Sequence, residues 1–164
     1  MKLSILIPTF NRCDKLNRLL NFIRDEVEAC RLGNLVNVYV SDNASADDTE
    51  KQAREFRGNR LEVHYFRQSE NSGFDGNLRF LYRKAESEYV WFMADDDLPL
   101  KGAIAKIART IETHDPDVLL FSFIQPPGSK IRQFDYSDPI HIVTDPVDAI
   151  EHVLRYTKLS IFVL

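Results

Sequence analysis

What the chain lacks narrows it first. It has 6 glycines in 164 residues, and none lies in the loop after the first apolar run, Pro8-Thr9-Phe10-Asn11-Arg12. A dinucleotide-binding turn needs glycine there so that backbone can approach a pyrophosphate, which excludes a nicotinamide-dependent dehydrogenase. No glycine-rich loop ends in Lys-Ser or Lys-Thr either, which excludes a P-loop nucleoside-triphosphatase. The two cysteines, Cys13 and Cys30, have no metal-ligand spacing and are expected to be reduced thiols of a cytosolic protein. Cys13, near a helix start, is expected to be a small structural residue. Basic blocks are absent and the net charge is −4, so wholesale binding to a nucleic-acid backbone is not expected. No run approaches the ~20 apolar residues that span a bilayer. The short run between Lys2 and Pro8 is too brief for a signal peptide. These absences set the expectation of a cytoplasmic protein and leave peripheral contact at the inner face of a membrane open.

What is present is an ordinary globular balance, 44% apolar and 28% charged, at a length that suits one domain. Leu3 to Ile7 is a short apolar run ended by Pro8 and predicts a first strand. Leu16, Leu19, Leu20, Ile23 and Val27 recur at helical spacing from Asp14 until Gly33-Asn34. Val36 to Ser41 predicts a second strand ending on Asp42-Asn43-Ala44-Ser45. Ser45, with Asp47 and Asp48 behind it, predicts a capped helix with Ala53 and Phe56 inward. Leu61 to Phe66 alternates as a third strand, and Asn71-Ser72-Gly73 is a turn. A helix from about Phe74 to Glu86 is expected to turn Leu78, Leu81, Tyr82 and Ala85 to one side.

Tyr89-Val90-Trp91-Phe92-Met93 then predicts a buried strand that stops on Ala94-Asp95-Asp96-Asp97, with Pro99 closing the element. Adjacent carboxylates repel one another. A hard divalent cation relieves that repulsion, and Mg²⁺ takes one or two carboxylates and completes its shell with substrate phosphates. The bland alternative is a solvated acidic turn with Asp97 capping the next helix. That helix is marked by Leu100, Ile104, Ile107, Ala108 and Ile111, and 117–123 predicts a fifth strand.

Strand–helix alternation repeated in this way predicts an α/β fold, a mostly parallel Rossmann-like sheet with helices on both faces. Ligands of such sheets bind outside the carboxyl ends of the strands. Three of those ends are polar here, Thr9–Arg12, Asp42–Ser45 and Asp95–Asp97, and are expected to converge on one crevice. After Phe123 the pattern weakens. Pro126-Pro127-Gly128-Ser129 predicts a loop, Lys130 to Phe134 a short strand, and Asp145-Pro146 the cap of a helix from Val147 to about Tyr156. Leu159 to Leu164 is apolar without closing polar residues. The expectation is therefore a chain that continues past Leu164, with this end packing on a neighbouring chain, a second copy included, or remaining disordered.

Four stretches in order resemble the family 2 glycosyltransferases of GT-A fold, of the bacterial surface-polysaccharide type. They are Ser4 to Arg12, Val40 to Thr49, Glu70 to Gly73, and Glu88 to Asp97. The resemblance covers roughly residues 3 to 123. It implies a nucleoside-diphosphate-sugar-binding core over 1–123, with 124–164 starting the acceptor side. It implies a donor, most simply a UDP-sugar, and a saccharide or lipid-linked saccharide acceptor. Pro8, Thr9, Phe10, Asn11 and Arg12 would line the nucleotide, together with Asn43, Ser45, Asn71, Gly73 and Asn77. Asp42 would accept from the base, most simply the uracil imide. Asp95 would hold the ribose or metal region, and Asp95, Asp96 and Asp97 supply the ligands of Mg²⁺ or Mn²⁺. The family pattern often reads Asp-x-Asp-Asp, where Ala94 stands first here, so the working pair of acids stays open. Asn43 replaces a second acid and can donate a hydrogen bond, which bears on base choice. Asn77 and Arg79 depart from the commoner run after the glycine and are weaker candidates.

An inverting mechanism, as in the family, needs a carboxylate base on the face opposite the leaving group. Asp135, Asp138 and Asp145 read as turn or cap residues. His64, His114, His141 and His152 read as structural or surface groups. The base is therefore expected beyond Leu164. A sugar nucleotidyltransferase would want a glycine-rich basic loop near the N-terminus, which is missing. The competing reading of another class is a non-catalytic nucleotide-sugar-binding domain or fragment.

Overall fold

The computed structural model describes residues 2–119, 143–145 and 147–148. The chain divides into two compact units, Met1–Asp115 and Pro116–Leu164. The first unit alternates strictly: β1 (Leu3–Thr9), α1 (Cys13–Ala29), β2 (Val36–Asp42), α2 (Thr49–Glu55), β3 (Glu62–Arg67), α3 (Gly73–Lys84), β4 (Tyr89–Phe92) and α4 (Ala103–His114). The four strands form one sheet in the order β3-β2-β1-β4, and every pairing is parallel. This is the expected parallel Rossmann-like arrangement of strands and helices.

β1 and β2 are central and covered on both faces, so they read as continuous apolar runs rather than alternating ones. Ile5, Ile7, Val36, Val38 and Val40 join Leu16, Leu19, Leu20, Ile23 and Val27 of α1 and Ile104 of α4 in the main core. The opposite face is smaller: Leu6, Tyr39 and Leu81 are buried, with Phe66, Ala85 and Val90 against them. Three expectations about helices are corrected. Tyr82 is exposed, because the inward line of α3 is Asn77, Leu81 and Ala85 at four-residue steps. Leu100 is exposed too, since α4 starts only at Ala103. Ser45 does not cap α2. Asp47 supplies the start of that helix, accepting from the Thr49 N–H and hydroxyl.

α4 begins behind Gly102, whose φ of 81° lies in the left-handed region. The N–H of Gly102 donates to Glu26 Oε2 of α1 at 2.6 Å. A buried glutamate on the apolar side of α1 thus finds its partner at the start of another helix, as buried charges require. Of the fifth strand expected over 117–123, Asp117 is a bend, Val118 and Leu119 carry no regular structure, and the rest lies outside the described residues. The expected 130–134 strand, Asp135, Asp138, His141, His152 and the apolar 159–164 end also lie outside them. In the second unit Asp145 Oδ1 accepts from the N–H groups of Val147 and Asp148, at 2.8 and 3.1 Å, as a cap does.

Candidate functional site

The strand order reverses between β1 and β4. From β1 the chain winds outward through β2 to β3, then crosses to the other side of β1 for β4. Such a switch point leaves a crevice at the carboxyl ends of the two strands, because their following loops run in opposite directions. The ends are level: Thr9 pairs with Asp42, and Asp42 with Arg67. Across the switch point the Thr9 hydroxyl donates to Asp95 Oδ2 at 2.8 Å.

The loop after β1 is fastened to the loop after β2 by reciprocal bonds. The Asn11 N–H donates to Ser45 Oγ at 2.8 Å, and the Ala46 N–H donates to Asn11 Oδ1 at 2.7 Å. Asn11 and Ala44 both hold positive φ, 53° and 64°. Asparagine tolerates that region; alanine there is strained, and the cross-loop bonds hold it. Pro8 is half-buried in β1, and Phe10 exposes its ring at the rim.

Asp42 is completely buried. Its Oδ1 accepts from the Ser45 N–H at 2.8 Å and its Oδ2 from the Tyr65 hydroxyl at 2.7 Å. Burial, reinforced by the Asp42 carboxylate, drives the Tyr65 hydroxyl far above its ordinary pKa. Asn43 spends its side chain on partners within the chain. Its amide donates to Asn71 Oδ1 and the Gly73 carbonyl, and its carbonyl oxygen accepts from the Ser72 N–H and hydroxyl. It ties β2 to the start of α3, where Gly73 has φ 75°. Asn77 is buried deeper, donating to the Ser41 carbonyl and accepting from Gln68, and so belongs to the support beneath the crevice.

The acids after β4 find partners within the chain. Asp95 is buried, with one oxygen on Thr9 and the other on Arg12 Nη1 at 3.0 Å. The same nitrogen donates to Asp96 Oδ2 at 2.8 Å, and Lys15 Nζ donates to that oxygen at 3.0 Å. Asp97 Oδ2 accepts from the Ala94 N–H at 3.2 Å and closes the turn. This corrects the premise that the three carboxylates need a metal for want of partners. Among the described residues no group of three or more acidic, His or Cys side chains is placed to hold a metal ion. Burial pushes the Asp95 carboxyl above the usual range, although Thr9 and Arg12 pull it down. The Lys15 hydrogen bond, with Arg12 beside it, holds Asp96 below that range.

Two members of this constellation escaped the sequence reading, Tyr65 and Lys15. Tyr65 lies mid-strand and carries no signal. Lys15 does: Arg12 and Lys15 flank the first turn of α1, where the helix dipole disfavours cations, so both must find acids elsewhere in the fold.

A parallel α/β sheet with a polar crevice at its switch point defines a ligand-binding fold of the nucleotide type. The chain belongs to glycosyl transferase family 2, whose family model matches residues 4–158. It is 35% identical over 121 residues to the abequosyltransferase RfbV of Salmonella typhimurium, covering 73% of this chain and 35% of that protein. It is 30% identical over 166 residues to the poly(ribitol-phosphate) beta-N-acetylglucosaminyltransferase TarS of Staphylococcus aureus, covering 97% and 27%. A Campylobacter jejuni glucosyltransferase named for a polyprenyl-diphosphate-linked acceptor, GalNAc(5)-diNAcBac-PP-undecaprenol, is 28% identical over 81% of this chain and 42% of its own length. The chain thus spans about a third of the length of these curated relatives. Among solved structures, residues 1-349 of TarS superpose with a TM-score of 0.70 at 29% identity, over 84% of this chain and 40% of that one. The same protein in complex with UDP-GlcNAc superposes at 0.66 over 83% and 39%. A Pyrobaculum calidifontis mannosyltransferase solved with GDP-Man and Mn²⁺, at 24% identity and a TM-score of 0.59 over 67% and 32%, shares the fold. Among the described residues no helix is long and apolar enough to cross a membrane.

Proposed function

We propose that this chain is the donor-binding part of an inverting glycosyltransferase that takes a sugar from a nucleoside diphosphate, most simply UDP, to an acceptor hydroxyl. The acceptor is a saccharide or lipid-linked saccharide of a bacterial surface glycan, in keeping with the names of the relatives. The observation that carries this reading is the Thr9–Arg12 loop at the switch point, fastened by hydrogen bonds to Ser45 and Ala46 on one side and to Asp95 and Asp96 on the other. The UDP-GlcNAc complex of a 29% identical relative supports it.

In this reading Asp42 accepts from the base. In the free chain it has no exposed surface, so a base reaches it only as the Tyr65 hydroxyl swings off Oδ2. Thr9 and Asp95 brace the floor of the crevice, and Phe10 offers its exposed ring at the rim. The donor set fits Mg²⁺ or Mn²⁺: Asp96 and Asp97 are exposed carboxylates beside a buried one, and such ions take one or two carboxylates with phosphate oxygens completing the shell. A bound cation would supply Lewis-acid stabilisation of the charge that develops on the leaving diphosphate.

Calorimetric titration with UDP, with Mn²⁺ and with chelator, tests the reading, and tighter binding with metal is expected. Asp42→Asn keeps the shape but faces a base N–H with an amide. It should weaken UDP by roughly 10- to 150-fold, the equivalent of about 1.5–3 kcal/mol for a hydrogen bond to a charged group. Equal affinity with and without metal, or no UDP binding at all, would overturn the reading.

A further inference from the structure

Arg12 Nη1 bridges Asp95 Oδ1 and Asp96 Oδ2, at 3.0 and 2.8 Å, and Lys15 Nζ sits on the same Asp96 oxygen at 3.0 Å. One carboxylate oxygen thus carries two cations, and all three side chains are well exposed, at 45%, 49% and 40%. Asp95 differs: it is 6% exposed and keeps Thr9 whatever Arg12 does. Asp96 Oδ2 is thus already occupied by the chain's own cations. A divalent ion drawn to this carboxylate meets two positive charges already on one of its oxygens, and like charges that close repel.

We infer that Arg12 and Lys15 form an internal cation latch on Asp96, with which a divalent metal competes and which, once open, turns two positive side chains onto the donor diphosphate. The inference rests on the proposed donor and metal site. Its consequence is coupling. Metal alone competes with the chain's own cations and binds weakly. Metal with nucleoside diphosphate binds well, because the displaced Arg12 and Lys15 find phosphate oxygens in place of Asp96. Arginine suits that exchange, since its planar fork matches carboxylate and phosphate alike. The coupling is reciprocal: whatever the diphosphate gains from metal, the metal gains from diphosphate. Exposed ion pairs are weak, so the latch opens readily and acts as a bias toward joint binding rather than a block.

The test is metal binding without turnover. Free Mn²⁺ is followed by electron paramagnetic resonance with and without UDP, in the unaltered chain and in Arg12→Gln and Lys15→Gln. In the double variant, Mn²⁺ alone should bind about five-fold more tightly, given the size of exposed ion pairs. The gain in Mn²⁺ affinity on adding UDP should shrink in the same variant. Mn²⁺ affinity unchanged or weakened in the double variant, while UDP still binds with metal, would overturn the latch and leave the proposed function standing. Absence of any Mn²⁺ or UDP binding in the unaltered chain would instead overturn the proposed function, and the latch with it. Circular dichroism and thermal melting of the variants guard against misfolding, and Arg12→Lys, which keeps the charge, should restore most of the unaltered behaviour.

Discussion

Two acidic corners flank β1, and they are held in opposite ways. On the β2 side, Asp42 is sealed: no surface, a tyrosine hydroxyl on one oxygen and a backbone N–H on the other. On the β4 side, Asp96 lies open with two flexible cations on one oxygen, while Asp95 beside it is anchored by Thr9. Neutral donors at fixed positions make a rigid corner in the free chain, because none leaves without orphaning a buried group unless a ligand donor takes its place. Long cationic side chains in water make an exchangeable corner, because their pairs are weak and water replaces them at little cost. One crevice therefore combines a fixed wall with an adjustable one. The contrast is set by burial of the partners rather than by the acids, which are chemically the same.

The sharpest way to break this comparison is Asp42→Ala. It strips the partner from the Tyr65 hydroxyl and the Ser45 N–H together, and the cost is expected to be about 2–4 kcal/mol from two unsatisfied groups. Urea denaturation measures it, and a loss below that for Asp96→Ala would show that the sealed corner is not sealed. Next in size is Thr9→Val, which leaves a buried Asp95 oxygen without its hydroxyl at near-constant volume. About 1–2 kcal/mol of stability should be lost, read as a lower denaturation midpoint at unchanged slope.

The smallest effect sharpens the exchangeable side. Lys15 and Arg12 hold the folded-state pKa of Asp96 below its unfolded value. Its contribution is thus fully present above the unfolded pKa of about 3.9 and is lost as pH falls through the lower folded value. Asp96→Asn should cost no more than about 0.5 kcal/mol at pH 6, since the group is well exposed, and progressively less as the pH falls through the folded value. Thermal melts across that range check both the size and the sign. A penalty that grows on acidification would mean the acid is held by something other than its cations.

Much of this was readable from the residues in order. Strand–helix alternation, the apolar stripes of α1 and α4, and the polar ends of β1, β2 and β4 follow from local spacing and composition, and the structure places them as expected. The roles of particular polar groups were not readable in that way. Asn43, expected to line the nucleotide, also braces the start of α3, a role its place in the sequence did not disclose. Ser45 looked like a helix cap and is a clamp on Asn11. Tyr82 looked inward and faces solvent.

The sequence by itself determined which residues are apolar at which period, and so the elements, the parallel α/β class and the strand ends that carry acids. Those depend on contacts within a few residues, and the chain states them directly. Tertiary structure decided the partners. Thr9 meets Asp95 across 86 positions, Arg12 meets Asp96 across 84, and Asp42 meets Tyr65 across 23. A carboxylate's chemistry is set by what stands within hydrogen-bonding reach and by how much water is excluded. Both are fixed only when the strand order brings distant loops to one edge of the sheet, which is why three adjacent aspartates read alike in the sequence and behave differently in the fold.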